Sequence, residues 1–491
     1  MTILGERHSI EAGIRYRLER FFIGGKWVGP LGGLDLRQSI DPATEVANGS
    51  VAFGTPADAD AAVDAAADAF TSYSQTSPSQ RRDLLLRIVA EYERRLPDIA
   101  AAITAEMGAP LAKLSMKTQA PVGLWHLRTA ADCMERYEFL RSQGTTCIAR
   151  EPVGVCALIA PWNWPMNQIL CKVAPALAVG CTMVLKPSQF SPFSAQILAE
   201  IIEAAGVPPG VFNMVYGEGR VLGDILAAHP RVDMVSFTGS TTAGVQVARI
   251  AAETVKRVSL ELGGKSPNVI LDDAPFEEAV SHGVRRLMGN SGQSCNAPAR
   301  MLVPRDRLED AEEIARLTAE SINVGNPLDS DTDMGPLANA RQFTKVQQMI
   351  RVGLAEGAKL IAGGEGRPSS LTRGYFLRPT VLSSVTSAMT VAREEIFGPV
   401  LCIQTYEDES DAARIANDTV YGLSGYVYSS DLNRARQFAL RLRTGMVHLN
   451  GASTDLSAPF GGYKQSGNGR EWGEFGLDEF SEVKAIMGWS A

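Results

Sequence analysis

The sequence predicts an α/β protein built on parallel, doubly wound sheets. Short Val/Ile/Leu runs at 153–159, 181–185, 211–215, 232–236, 267–271 and 300–303 are bounded by Gly and Pro. Segments of helical spacing, rich in Ala, Leu and Ile, lie at 58–70, 78–106 and 194–206. Strands alternating with helices are the mark of βαβ units. A chain of 491 residues is also too long for one core. Domains of roughly 100–250 residues predict two or three here.

Each element has its own signal. Asp58 and Ser79 are the expected start signals of the first two helices. The longest apolar run, Val173 to Leu185, contains Pro175 and Gly180 and is too short to span a bilayer. It reads as a buried helix followed by a buried strand. A second α/β series follows from about 308 to 450, with strands near 400–405, 425–428 and 446–449. Asp478 to Met487 again reads as a strand. No internal repeat or low-complexity segment is present.

Bulk composition narrows the function. Apolar residues at 45% and charged residues at 21% are ordinary for a soluble globular protein. The net charge of −8 comes with no basic block or stripe, which argues against nucleic acid. Met1 to Arg20 alternates charges of both signs and lacks an apolar stretch, so no signal peptide is expected. The seven cysteines are odd in number and form no CxxC pair, so neither a disulfide framework nor a metal site is expected. That usage fits a reducing cytoplasm, with six of the seven acting as small buried hydrophobes.

Several strings carry chemistry. Gly292-Gln-Ser-Cys-Asn-Ala-Pro298 sets Cys295 in a turn of small residues that leaves room for a substrate. Glu261-Leu-Gly-Gly-Lys265 ends a strand with a carboxylate before a Gly-Gly turn. A thiol that attacks a carbonyl and a carboxylate that then activates water suffice to oxidise or hydrolyse an acyl group through a thioester. Alone, Cys295 would be an inert buried thiol and Glu261 a surface charge. Ala160-Pro-Trp-Asn-Trp-Pro165 rigidifies Asn163, either to donate to an oxyanion or to cap the next helix. Lys186 stands at the end of a buried strand, where ligands of open α/β sheets bind, or is simply a solvated strand-end charge. Phe237-Thr-Gly-Ser-Thr241 is a strand end, a glycine turn and a helix opening that suits a pyrophosphate or only caps a helix. No GxGxxG fingerprint is present. Glu394-Glu-Ile-Phe-Gly-Pro399 and the glycine-rich Pro459 to Gly467 complete the set; alone they would be an acid-capped loop and a flexible connector.

Together and in this order, these strings resemble the aldehyde dehydrogenase superfamily of the hydrolytic, NAD(P)-dependent, non-CoA-acylating kind. The resemblance runs from Phe21 to Lys484. It implies a Rossmann-like coenzyme domain (1–128 and 152–261), an α/β catalytic domain (262–470) and a small β oligomerisation arm (129–151 and 471–491). It implies that Cys295 is the nucleophile and Glu261 the general base. It also implies that Asn163 and the Cys295 backbone N–H form the oxyanion hole, and that Lys172 lies near the proton path. The implied cofactor contacts are Trp162, Lys186, Ser188, Gln189, Gly219, Phe237, Gly239, Ser240, Leu262, Glu395 and Phe397. The implied substrate wall is Trp164, Asn167, Gln168, Cys171, Ser294, Asn296 and the loop 451–459.

The cofactor is NAD or NADP, with a lean to NAD. Relatives that prefer NAD often carry Glu where this chain has the neutral Gln189. Cys171 is small where relatives often carry a bulky aromatic, and Gly451 to Ala458 holds no Arg or Lys to grip a short carboxylate. A bulky, mostly apolar aliphatic or aromatic aldehyde follows as the expected substrate. No nucleic acid, membrane or metal is expected, and a homodimer or homotetramer is. Two rivals remain: a cysteine thioesterase or esterase without redox chemistry, and a non-catalytic structural protein on the same fold. None of the five histidines, at 8, 126, 229, 282 and 448, sits in a motif to serve the hydrolase.

Overall fold

A computed structural model describes residues 16–490. Most of the Met1 to Arg20 stretch, with His8 and the start of the expected coenzyme domain, therefore lies outside the described residues. The helices begin slightly earlier than the start signals suggest. Pro56–Tyr73 is capped by Thr55, and Asp58, the third helical residue, closes its capping box. The Asp58 carboxylate accepts from Thr55 N and Oγ1, each at 2.7 Å. Pro78–Met107 is capped by Ser77, not Ser79, with Gln80 reciprocating. It stops at Gly108, whose φ of +74° is the left-handed helix end that glycine adopts freely.

The first large sheet runs in the order Arg257–Glu261, Met234–Thr238, Val155–Ile159, Thr182–Lys186, Phe212–Met214, Phe21–Ile23, Lys26–Val28. Its first five strands are parallel. Register places Ile159 opposite both Lys186 and Phe237, and Thr238 opposite Glu261. The strings after these residues therefore leave from one carboxyl edge. The run from Val173 splits as expected: the helix Pro165–Val179 ends at Gly180, φ +102°, and the strand Thr182–Lys186 follows.

The second large sheet is ordered Lys359–Ala362, Thr380–Ser383, Val400–Tyr406, Arg300–Pro304, Pro267–Ile270, Ser424–Tyr428, Met446–Leu449. Only its Lys359–Ala362 edge is antiparallel. A three-stranded sheet of Tyr16–Leu18, Val46–Ala52 and Leu36–Asp41 is additional to the strands expected from sequence.

Ser481–Met487 pairs antiparallel with Thr146–Pro152, which pairs with Leu140–Gln143. This ribbon has three strands. Residues 478 and 479 close the helix Gly473–Glu479 instead of starting a strand. Leu477 and Phe480 pack into the core of the first sheet. Among the described residues, no helix is long and apolar enough to cross a membrane.

Candidate active site

The turn before Cys295 is held in an uncommon conformation. Asn290 and Ser291 have φ of 53° and 55°, and Gly292 has φ of +73°. Non-glycine residues in this region cost free energy and persist only where surroundings fix them. Gln119 Nε2 donates to Asn290 Oδ1 at 3.1 Å, and Ala338 N donates to Gln293 Oε1 at 2.9 Å. A Cβ on Gly292 would lie 2.1 Å from Gly398 O, so glycine is required there. A Cβ on Gly264 would lie 2.5 Å from Cys295 O, so the Gly-Gly turn is what lets the two strings approach. Cys295 itself keeps partial exposure, while the other six cysteines are buried. Burial pushes its thiol pKa up, and the Glu395 and Glu261 carboxylates add to the shift.

Asn163 is buried and does not cap the following helix, whose cap position is Trp164. One amide hydrogen goes to Gln293 O at 3.0 Å. Its backbone carbonyl accepts from Gln119 Nε2 at 3.2 Å and Asn290 Nδ2 at 2.9 Å. The side chain is thus anchored to the loop that carries the thiol, with its second N–H spare.

Glu261 is buried, and neither of its carboxylate oxygens has a hydrogen-bond partner. Burial drives its pKa well up, and Glu471 adds to this, while Lys172 and Arg470 oppose it. Lys172 Nζ is buried against Glu471 Oε1 and donates to Ser236 Oγ at 3.1 Å. The Cys171 thiol donates to Glu471 Oε2 at 3.2 Å. Glu471 reaches this point because it pairs with Phe460 through two backbone bonds, at 2.7 and 2.8 Å.

Along the carboxyl edge of the first sheet, Lys186 Nζ is buried and donates to Pro187 O at 2.9 Å. Burial lowers its pKa to about 8. Ser188 Oγ accepts from Phe190 N at 3.2 Å. Gln189 lines a cavity of about 430 Å³ together with Glu218, the residue before Gly219. Gly219 opens a helix with free space beside it. Ser240 caps the helix Thr241–Ala251 by accepting from Ala243 N. A Cβ on Gly239 would meet the Phe237 ring at 2.6 Å, and Gly244 gives similar clearance to Leu262. The Glu395 carboxylate accepts from Gly264 N at 3.0 Å. Phe397, at φ +61°, turns its ring edge to Trp162, 5.6 Å between centroids.

The residues expected to wall the substrate adjoin others that were not expected from sequence. Trp164 Nε1 donates to Ser294 Oγ at 2.8 Å. Gln168 is buried, and the Asn296 carbonyl accepts from Tyr426 at 2.7 Å. Cys171 clusters with Leu423, Phe460 and Trp472, against which Cys295, Met446 and Leu456 pack. Among the described residues, no group of three or more His, Cys, Asp or Glu is arranged to hold a metal ion.

Comparison with known proteins fits this geometry. A model of the aldehyde dehydrogenase family matches residues 32–486. The chain belongs to the aldehyde dehydrogenase family. It is 59% identical over 469 residues to the 3-succinoylsemialdehyde-pyridine dehydrogenase of a Pseudomonas species, covering 96% of this chain and 98% of that one. The crystal structure of a mutant aldehyde dehydrogenase C from Pseudomonas syringae, in complex with NAD+ and octanal, superposes with a TM-score of 0.95 at 51% identity. That match covers 96% of this chain and 97% of the other. A Mycobacterium tuberculosis aldehyde dehydrogenase complexed with NAD+ gives 0.94 at 37% identity, covering 98% and 100%. Oxidation of an aldehyde is therefore the activity of this chain.

Sequence reading for an aldehyde dehydrogenase missed Glu471, His126, Gln119, Asn290, Phe460 and Trp472. Glu471 and Trp472 lie within Gly469-Arg-Glu-Trp-Gly-Glu-Phe-Gly476, where a charged and an aromatic residue between glycines form a usable signal. Phe460 lies in the glycine-rich string Pro459 to Gly467, while Gln119, His126 and Asn290 lie in helices and turns with no local mark.

Proposed function

We propose that this chain oxidises a bulky, mostly apolar aldehyde to its carboxylic acid with NAD, through a thioester on Cys295. The observation that carries the reading is the Glu261 carboxylate, buried without a hydrogen bond, whose charge helps push the Cys295 thiol pKa up. A base kept free of partners inside the protein is available to a water molecule and to little else.

The cofactor fits the residues present. Thr238 Oγ1 is buried without a partner at the carboxyl edge, the glycine at 239 clears space, and the helix opening at Thr241 offers unpaired N–H groups. Lys186, Ser188 and Gln189 would hold the adenosine ribose, and Ser240 the pyrophosphate. Gly219, Phe237 and Leu262 would line the path, and Glu395, Phe397 and Trp162 would hold the nicotinamide end. When bound, an oxidised nicotinamide supplies a hydride acceptor and a positive charge beside the thiol.

The thiolate sulfur of Cys295 bonds to the aldehyde carbon. Asn163 Nδ2 and the Cys295 backbone N–H hold the oxygen as its negative charge develops. The C–H bond of the adduct then breaks and a thioester remains on Cys295. Glu261 takes a proton from water as the water oxygen attacks the thioester. The C–S bond breaks, the thiolate returns and the acid leaves. Lys172 and Glu471 adjoin Glu261 and tune its affinity for that proton.

The apolar wall of Cys171, Leu423, Phe460, Trp472 and Leu456 supports a large substrate. So do the octanal bound by the Pseudomonas syringae enzyme and the ring-bearing aldehyde in the name of the Pseudomonas relative. We assign 1–128 and 152–261 to coenzyme binding, 262–470 to catalysis, and 129–151 with 471–491 to the arm. Leu140, Val483, Met487 and Trp489 are exposed on that arm, which supports a homodimer or homotetramer. Seven unpaired thiols support a cytoplasmic location.

The test follows absorbance of the reduced nicotinamide with purified protein, an aldehyde panel, and NAD or NADP in parallel. Turnover that disappears in Cys295→Ala supports the reading. Turnover that survives in that variant, or comparable kcat/KM for succinic semialdehyde and octanal, would sink it.

A further inference from the structure

Asn167 is the one residue of the helix Pro165–Val179 that is not buried. Residues four apart share a helix face, so Asn167 stands beside Cys171, which belongs to the apolar cluster around Cys295. Its opening is therefore toward the substrate wall. Trp164, on the same face, is tied to Ser294 next to the thiol. The amide of Asn167 is held from behind. His126 Nε2 meets Asn167 Oδ1 at 2.8 Å.

His126 sits on the helix Pro121–Cys133, is buried, and packs against Trp472 at 5.6 Å between centroids. Trp472 in turn packs on Phe460 at 4.4 Å. Burial lowers the His126 pKa, against the opposing effects of Asn167 and Glu471, so the ring is neutral near pH 7. A neutral imidazole has one N–H, and donating it to Oδ1 leaves the Asn167 amide with its two N–H groups facing outward. Among the described residues, Asn167 Nδ2 has no hydrogen-bond partner.

The geometry points to Asn167 as a specificity-determining residue that selects aldehydes carrying a hydrogen-bond acceptor along the chain, such as a ketone oxygen, with His126 as its positioning residue. This inference rests on the bulky-aldehyde reading above. A donor facing an apolar substrate loses its water without compensation, whereas an acceptor at that depth restores the bond. Such a contact favours the acceptor-bearing aldehyde by roughly tenfold in kcat/KM.

The experiment compares kcat/KM for octanal with 4-oxooctanal and 5-oxooctanal, taking the better oxo substrate. The ratio is measured in the wild type, Asn167→Leu, His126→Phe and His126→Gln. The inference predicts a wild-type ratio near ten that falls to about one in Asn167→Leu and in His126→Phe. His126→Gln, whose amide still donates to Oδ1, retains most of the ratio. No wild-type preference for either oxo substrate, or a preference that Asn167→Leu leaves intact, overturns the role of Asn167. Failure of His126→Gln to exceed His126→Phe overturns the role of His126. Turnover of none of the three aldehydes, alongside turnover of a short one, overturns the bulky-aldehyde reading itself.

Discussion

Lys172 Nζ and Glu471 form an ion pair across 299 residues of sequence, with side-chain exposures of only 0% and 4%. The pair flanks the partnerless Glu261 carboxylate, and its two members act on that carboxylate with opposite sign. Lys172 lowers the Glu261 pKa and Glu471 raises it.

This opposition gives a pH prediction. Glu261 serves as a base only when ionised, so thioester hydrolysis rises with pH through the raised pKa of Glu261. Removing the lysine charge in Lys172→Met shifts the rising limb of the kcat profile to higher pH. Glu471→Gln shifts it lower. Glu261→Gln abolishes the limb and lowers hydrolysis by about 10²- to 10⁴-fold, the usual worth of a general base. Single-turnover kinetics that separate acylation from hydrolysis check all three, and shifts of the same sign in the two pair variants refute the assignment.

The pair also bears on stability. Removing one partner leaves a buried charge uncompensated, at a cost of about 3–5 kcal/mol. Lys172→Met and Glu471→Leu should each lower stability on that scale. The double variant should recover much of the loss, since two apolar side chains leave no buried charge. Urea denaturation of the four proteins measures the coupling.

Asn163→Ala should cut kcat by about 10²- to 10³-fold with little change in folding, as loss of one oxyanion donor does elsewhere. The Gln293 carbonyl then loses its bond from Asn163 but keeps that from Asn290 Nδ2 at 3.2 Å. Steady-state kinetics and a thermal melt together check this, and an intact kcat would remove Asn163 from the oxyanion site.

Gln189→Glu should raise the preference for NAD over NADP by about tenfold, because a carboxylate accepts from ribose hydroxyls and repels a 2′-phosphate. The ratio of kcat/KM for the two cofactors reads this directly. An unchanged ratio would place Gln189 away from the ribose.

Much of the site was legible because its chemistry demands local backbone. Gly292 is fixed by the approach of Gly398, Gly264 by that of Cys295, and Gly239 by the Phe237 ring. Such demands leave glycines beside the reactive residues, and these mark the strings in the sequence. Strand identity was legible for a similar reason, since strands buried on both faces read as unbroken apolar runs. Helix starts were less so: Asp58 and Ser79 are good cap residues, but Thr55 and Ser77 complete reciprocal boxes and take the position.

The sequence by itself determined the thiol, the carboxylate, the amide and the two parallel sheets that carry them. The tertiary structure alone decided what surrounds them. Glu471 meets Lys172, His126 meets Asn167 and Gln119 meets Asn290 only after the sheets form, at separations of 299, 41 and 171 residues. Side-chain hydrogen bonds and charges act over a few ångströms of space, and separation along the chain does not encode that proximity.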